Sequence, residues 1–180
     1  MRRARATFLA AVIASAVVFA GCGSTEPPPT AAAPSAAAPT RGVTGSVTQT
    51  RGAIATALGA KNLVLTDSQV AVRPAEAPAF AEAPRAVYQV ILPKDPSKGY
   101  VIVYEFTDPA HAAGAAAEQQ AYLATGPGRV QTPQGTVSVI RQVGSTVVYY
   151  QWLPGASEDP SAVGIEDALE GLGIGFPVSN

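Results

Sequence analysis

A chain of 180 residues has room for one ordinary domain with an appendage. Its 35 Ala residues make up much of the 47% apolar content and leave 50 larger apolar residues, enough for one compact core and too few for two. A formal charge of −1 argues against a nucleic-acid binder, and a single Cys with a single His excludes Cys/His zinc sites and an intramolecular disulfide.

The chain opens with Met1, Arg2, Arg3, Ala4 and Arg5, followed by an apolar run from Ala6 to Ala20 broken only by Thr7 and Ser15. Fifteen residues at ~1.5 Å each reach roughly 22 Å, short of a ~30 Å hydrocarbon core, so the run reads as a signal-peptide h-region. It ends at Phe19-Ala20-Gly21-Cys22. Small residues immediately before a Cys resemble the lipobox of bacterial lipoproteins, with Phe19 standing where that family usually has Leu. The resemblance implies cleavage before Cys22, acylation of Cys22, and anchoring on the extracytoplasmic side of a cell membrane or outer membrane. Several acyl chains hold such an anchor far more firmly than one, since each buried CH₂ contributes about 0.8 kcal/mol.

Residues 1–21 are thus expected to be a signal peptide and residues 22–42 a lipidated, disordered tether. Gly23 to Thr40 holds five Pro and six Ala among 18 residues, a composition that cannot bury enough apolar area to offset ordering. Residues 43–180 read as one globular domain. Val47, Ile54 and Leu58 form the stripe of a helix closing near Gly59. Residues 63–66 and 70–72 read as short extended pieces. Arg73 to Arg85, with Pro74, Pro78 and Pro84, reads as a long irregular loop or edge segment. Strands are expected at 86–92 and 100–106, joined by a polar loop that carries Lys94 and Lys98 at its tip. Asp108-Pro109 predicts a capped helix start with Pro at the first helical position. That Ala-rich helix runs to about Ala124 and stops at Gly126-Pro127. Strands 136–143 and 146–153 flank Gly144-Ser145, a two-residue loop suited to a type II′ hairpin. Asp159-Pro160 opens a last helix with Ile165, Leu169 and Leu172 on its stripe.

This order predicts an α+β fold, an antiparallel sheet of about four to five strands with helices on one face. From Tyr100 onward the β-α-β-β-α order resembles most of a ferredoxin-like unit. The whole layout is similar to small uncharacterised α+β lipoproteins of bacteria, a resemblance that implies no activity.

Candidate chemistry is sparse. His111 is expected on the surface near the start of its helix. A Gly-x-Ser-x-Gly elbow and a phosphate-binding Gly-x-x-x-x-Gly-Lys loop are both absent. Gly171, Gly173 and Gly175 follow a helix, whereas a dinucleotide site needs glycines between a strand and a helix. Glu158, Asp159, Glu166, Asp167 and Glu170 cluster near the C-terminus without the alternating ligands and Gly turn of a calcium loop. No cofactor, metal site or catalytic residue is expected.

With the Gly144-Ser145 turn, Val137, Val139, Val148, Tyr150 and Trp152 share the hairpin face read as core, together with Ala86, Tyr88, Val90, Leu92, Ile102, Tyr104 and Phe106. The opposite face holds Val101, Val103, Tyr149, Gln151, Glu105 and Gln89. Two readings of that face stand side by side: a solvated or platform surface centred on Tyr149, or a face covered by residues 73–85 with Phe80 as anchor. The expected function is a non-enzymatic, membrane-anchored binding module of the cell envelope with an envelope protein or cell-wall partner. A carrier of a small apolar or lipid ligand, and a hydrolase, are the alternatives.

Overall fold

The computed structural model describes residues 44–179, so the signal-type segment, Cys22 and the Pro/Ala-rich tether lie outside the described residues. Eleven elements follow in the order α1 (Gly45–Gly59), β1 (Leu65–Asp67), α2 (Pro78–Glu82), β2 (Arg85–Val90), β3 (Tyr100–Glu105), α3 (Pro109–Ala124), α4 (Gly126–Gln131), β4 (Val137–Val143), β5 (Thr146–Trp152), α5 (Ala162–Glu170) and β6 (Ile174–Gly175). The fold is α+β, built on one six-stranded antiparallel sheet of order β1-β2-β3-β5-β4-β6.

Local chemistry sets the boundaries. Thr44 caps α1 by accepting from Val47 N, and the stripe Val47, Thr50, Ile54 and Leu58 is buried. Asp108 caps α3, its side chain accepting from Ala110 N and His111 N, with Pro109 at the first position. These N–H donors and the His111 ring hold the Asp108 carboxyl below its ordinary range. The β4–β5 hairpin turns at Gly144, whose φ of 59° suits the first central position of a type II′ turn. Its register is the one expected, with Val143 opposite Thr146, Arg141 opposite Val148, Val139 opposite Tyr150 and Val137 opposite Trp152.

Two expectations are corrected: the sheet has six strands rather than four to five, and helices cover both of its faces. One core holds α1 and α5 (Ile54, Leu58, Ile165, Leu169) against Ala86, Tyr88, Val90, Val101, Val103, Val139, Val148 and Tyr150. The other holds α2 and α3 (Phe80, Ala112, Ala116, Leu123) against Ile102, Tyr104, Ile140, Val147 and Tyr149. Topology explains the two layers. β3 and β4 run parallel with β5 between them, and β5 and β6 run parallel with β4 between them. Both crossovers move the same way across the sheet, but β3 and β5 point in opposite directions. Right-handed crossovers therefore place α3 and α5 on opposite faces. A ferredoxin-like unit returns its last strand beside its first, which keeps both helices together. Here β2 occupies that side of β3, and β6 goes to the far edge beside β4.

The phase of β3 is also corrected. Val101 and Val103 pair with Tyr88 and Ala86 and share their core, whereas Ile102 and Tyr104 line the opposite one. The second core is economical in large side chains because α3 contributes Ala112, Ala115 and Ala116, all buried. Small residues let the helix lie close to the sheet, so the 40 larger apolar residues among positions 44–179 suffice for two layers. Residues 70–72 are not a strand, and residues 73–85 contain the short α2. Among the described residues, the members of both cores run from Val47 to Val178, so residues 44–179 carry both apolar layers.

Candidate functional site

β3 begins at Tyr100 and its antiparallel neighbour β5 ends at Trp152, so these residues meet at one end of the sheet. There the 93–99 loop, residues 72–74 and the turn after β5 frame a cavity of about 280 Å³. Its lining crosses the sheet edge. Tyr149 and Ile102 come from the α3 side, and Tyr150, Trp152 and Leu92 from the α1/α5 side. Leu92, Ile102, Tyr149 and Tyr150 are buried and form the floor. Trp152 is half-buried, and its Nε1 donates to Glu166 Oε2 at 2.8 Å, which fixes the indole as a wall. Burial pushes the hydroxyls of Tyr149 and Tyr150 above the ordinary phenol range, so the aromatic walls stay neutral.

The rim is held by specific bonds. Gly99 lies at φ +81°, and a Cβ there would stand 2.7 Å from Val90 O, so only glycine closes the β2–β3 loop this tightly. Gln89 Nε2 donates to Pro96 O at 2.6 Å and to Lys98 O at 3.2 Å, pinning the same loop. Asp159 accepts from Lys94 N at 3.0 Å and from Ser161 N at 2.9 Å, clasping the loop to the start of the last helix. The Lys94 and Ser161 N–H groups hold the Asp159 carboxyl below its usual range.

Two cations, Arg73 and Lys98, line the cavity, and among the described residues no acidic one does. Lys98 is exposed, and its ammonium has no ion pair among the described residues. The Arg73 side chain is 48% exposed and stands 3.9 Å from Glu76 Oε2. Glu76 already has a nearer partner: Arg85 Nη1 donates to it, and Tyr104 OH donates to its Oε1 at 2.6 Å. Arg73 thus keeps donors for a ligand.

The four residues expected at a partner surface separate. Tyr149 is only 1% exposed, lying under α2 and α3, with the Phe80 ring centroid 6.0 Å from its own. An open platform centred on Tyr149 is therefore corrected to a covered face, the alternative that placed Phe80 as anchor. Tyr149 and Gln151 line the cavity, and Gln89 braces the loop that carries Lys98. Glu105 lies on the opposite face at the far end of β3 and accepts from Thr44 Oγ1 at 2.5 Å. Cys22 is outside the described residues. His111 is exposed, its Nδ1 2.6 Å from Asp108 Oδ2. Of the C-terminal acids, Glu166 meets Trp152 and Asp167 meets Lys61.

The cavity escaped sequence reasoning because its parts come from four separated segments. One signal was present: Tyr100 to Phe106 has no polar alternation before Glu105, the pattern of a strand buried on both faces. Among the described residues, no group of three or more His, Cys, Asp or Glu is placed to hold a metal ion, and no helix is long and apolar enough to cross a membrane. The fold and cavity define a three-layer α+β domain with a strand-end pocket. No protein-family model, curated protein or solved structure matches the chain.

Proposed function

We propose that the protein is a lipid-anchored lipoprotein of the bacterial cell envelope, on the extracytoplasmic side, whose α+β domain is a non-enzymatic module that binds a small amphipathic ligand. The observation that carries the binding role is the cavity at the end of β3 and β5, with its buried aromatic floor and half-exposed indole wall. Pockets for small ligands share this combination of apolar lining and a few placed polar groups. The lipobox-like Phe19-Ala20-Gly21-Cys22 supports the anchor.

The covered Tyr149 face favours a small ligand over a protein or cell-wall partner on the sheet. It also moves the ligand from between sheet and helix, where α3 packs closely through Ala112 and Ala116, to the strand ends. Two measurements test the proposal. Intact mass of the mature protein should show an acylated Cys22, and Cys22→Ala should abolish partition into detergent-rich phases; an unmodified Cys22 refutes the anchor. Trp152 is the only Trp in the chain and lines the cavity, so octanol added to the 43–180 domain should shift its fluorescence saturably. Absence of a saturable shift, with no heat of binding by calorimetry, refutes the binding role.

A further inference from the structure

We infer that the cavity selects a single-chain amphiphile with an anionic head, its apolar body on the aromatic floor and its head between Arg73 and Lys98. The inference rests on the cavity being the binding site. Charge distribution carries it. Residues 44–179 hold eight basic residues against twelve acidic ones, so an unbiased cavity rim would be acidic. Among the described residues this rim instead has two cations and no acid; Glu76 beside Arg73 is paired with Arg85, and Glu166 accepts from Trp152. Several of the other cations are committed: Arg51 to Asp67, Lys61 to Asp167, Arg85 to Glu76, and Arg141 to the carbonyls of Leu172 and Gly173. Lys98 pairs with nothing among the described residues, and Arg73 faces a carboxylate that Arg85 already neutralises.

The vertical order within the cavity follows from burial. Leu92, Ile102, Tyr149 and Tyr150 are at most 2% exposed, whereas the Arg73 side chain is 48% exposed and Lys98 is exposed. An apolar body therefore occupies the floor while its charged end stays at the partly hydrated rim. Desolvation there costs less than burial of a charge, and the planar guanidinium offers paired donors to a carboxylate or phosphate. A cavity of about 280 Å³ stands at the small end of ligand pockets, which suits a short chain or a single ring.

The test titrates the 43–180 domain with octanoate, octyl phosphate, octanol and octylamine, read by Trp152 fluorescence and calorimetry. Octanoate or octyl phosphate should bind at least tenfold tighter than octanol, and octylamine most weakly. The tighter of the two anions assigns the source, a free carboxylate or a phosphate headgroup. Lys98→Gln and Arg73→Gln should each narrow the anion-to-octanol affinity ratio at least threefold and leave the melting temperature unmoved. Lys98→Gln alone serves should Arg73→Gln loosen the neighbouring turn. Raising salt should weaken the anions and not octanol, because exposed charges are screened. Equal affinity for octanol and both anions, or a preference for octylamine, overturns the inference and leaves the cavity as a binding site. Failure of all four to bind removes the binding-site reading, and this inference with it.

Discussion

Phe80→Ala is the sharpest test of how the second layer is held. Phe80 is 0% exposed, its ring centroid 4.4 Å from that of Tyr104 and 6.0 Å from those of Tyr149 and Phe106. Burial of a Phe side chain is worth ~1.5–3 kcal/mol, and loss of aromatic contacts removes a further ~0.5–1.5 kcal/mol. With the cavity left behind, the total reaches ~3–5 kcal/mol, a large share of the ~5–15 kcal/mol that a domain has. At about 4 °C per kcal/mol, the melting temperature should fall by roughly 12–20 °C. Urea unfolding followed by circular dichroism measures the loss, and Val130→Ala, at an 88% exposed position, should stay within ~0.5 kcal/mol. Faster cleavage after the exposed Glu82 by a glutamyl endopeptidase should accompany it, since Phe80 anchors the 73–85 segment. A Phe80→Ala loss below ~1 kcal/mol would refute the covered face, because no core Phe is so cheaply removed.

Glu76→Gln should destabilise by ~3–5 kcal/mol in the same urea assay, since it strips the counter-charge from Arg85, whose side chain is only 15% exposed. Joint replacement of Glu76 and Arg85 by Leu should cost less than Glu76→Gln alone, and the opposite ranking contradicts the buried pair. The Asp159 carboxyl is held below its ordinary value of ~3.9, so its stabilising effect is present above that pH and is lost as pH falls through the folded-state value. Asp159→Ala should therefore melt lower than the native protein at pH ~7 and show a shallower loss of stability below pH ~4, read by thermal scans across that range. Equal acid limbs would mean the clasp to Lys94 and Ser161 is not formed in solution.

Local chemistry was written plainly in the residues. Asp108-Pro109, Gly144-Ser145 and the stripe of α1 each stand on a short-range rule, and each element appears where that rule puts it. The hairpin register followed from its turn alone. What the residues concealed was global. The far-edge placement of β6 decides which face receives α5, and two residues, Ile174 and Gly175, carry too little pattern to announce a strand. The phase of β3 was hidden for a different reason. Tyr100 to Tyr104 is apolar on both faces, so alternation had nothing to read, and the assignment of Ile102 and Tyr104 fell one residue out. That slip moved Glu105 onto the face of Tyr149 and turned a covered layer into an apparent platform. The site was dispersed in the same way: Arg73, Lys98, Tyr100 and Trp152 meet only once the strands are paired.

The central claim is that the ligand site lies at the strand ends. An amide NMR titration of the 43–180 domain with octanoate tests it most directly. Shifts should concentrate at Gly99, Tyr100, Gln151 and Leu153, with Val130 and Ile174 on the outer surface unmoved. Shifts centred on residues outside the cavity, or spread evenly over the domain, would contradict it.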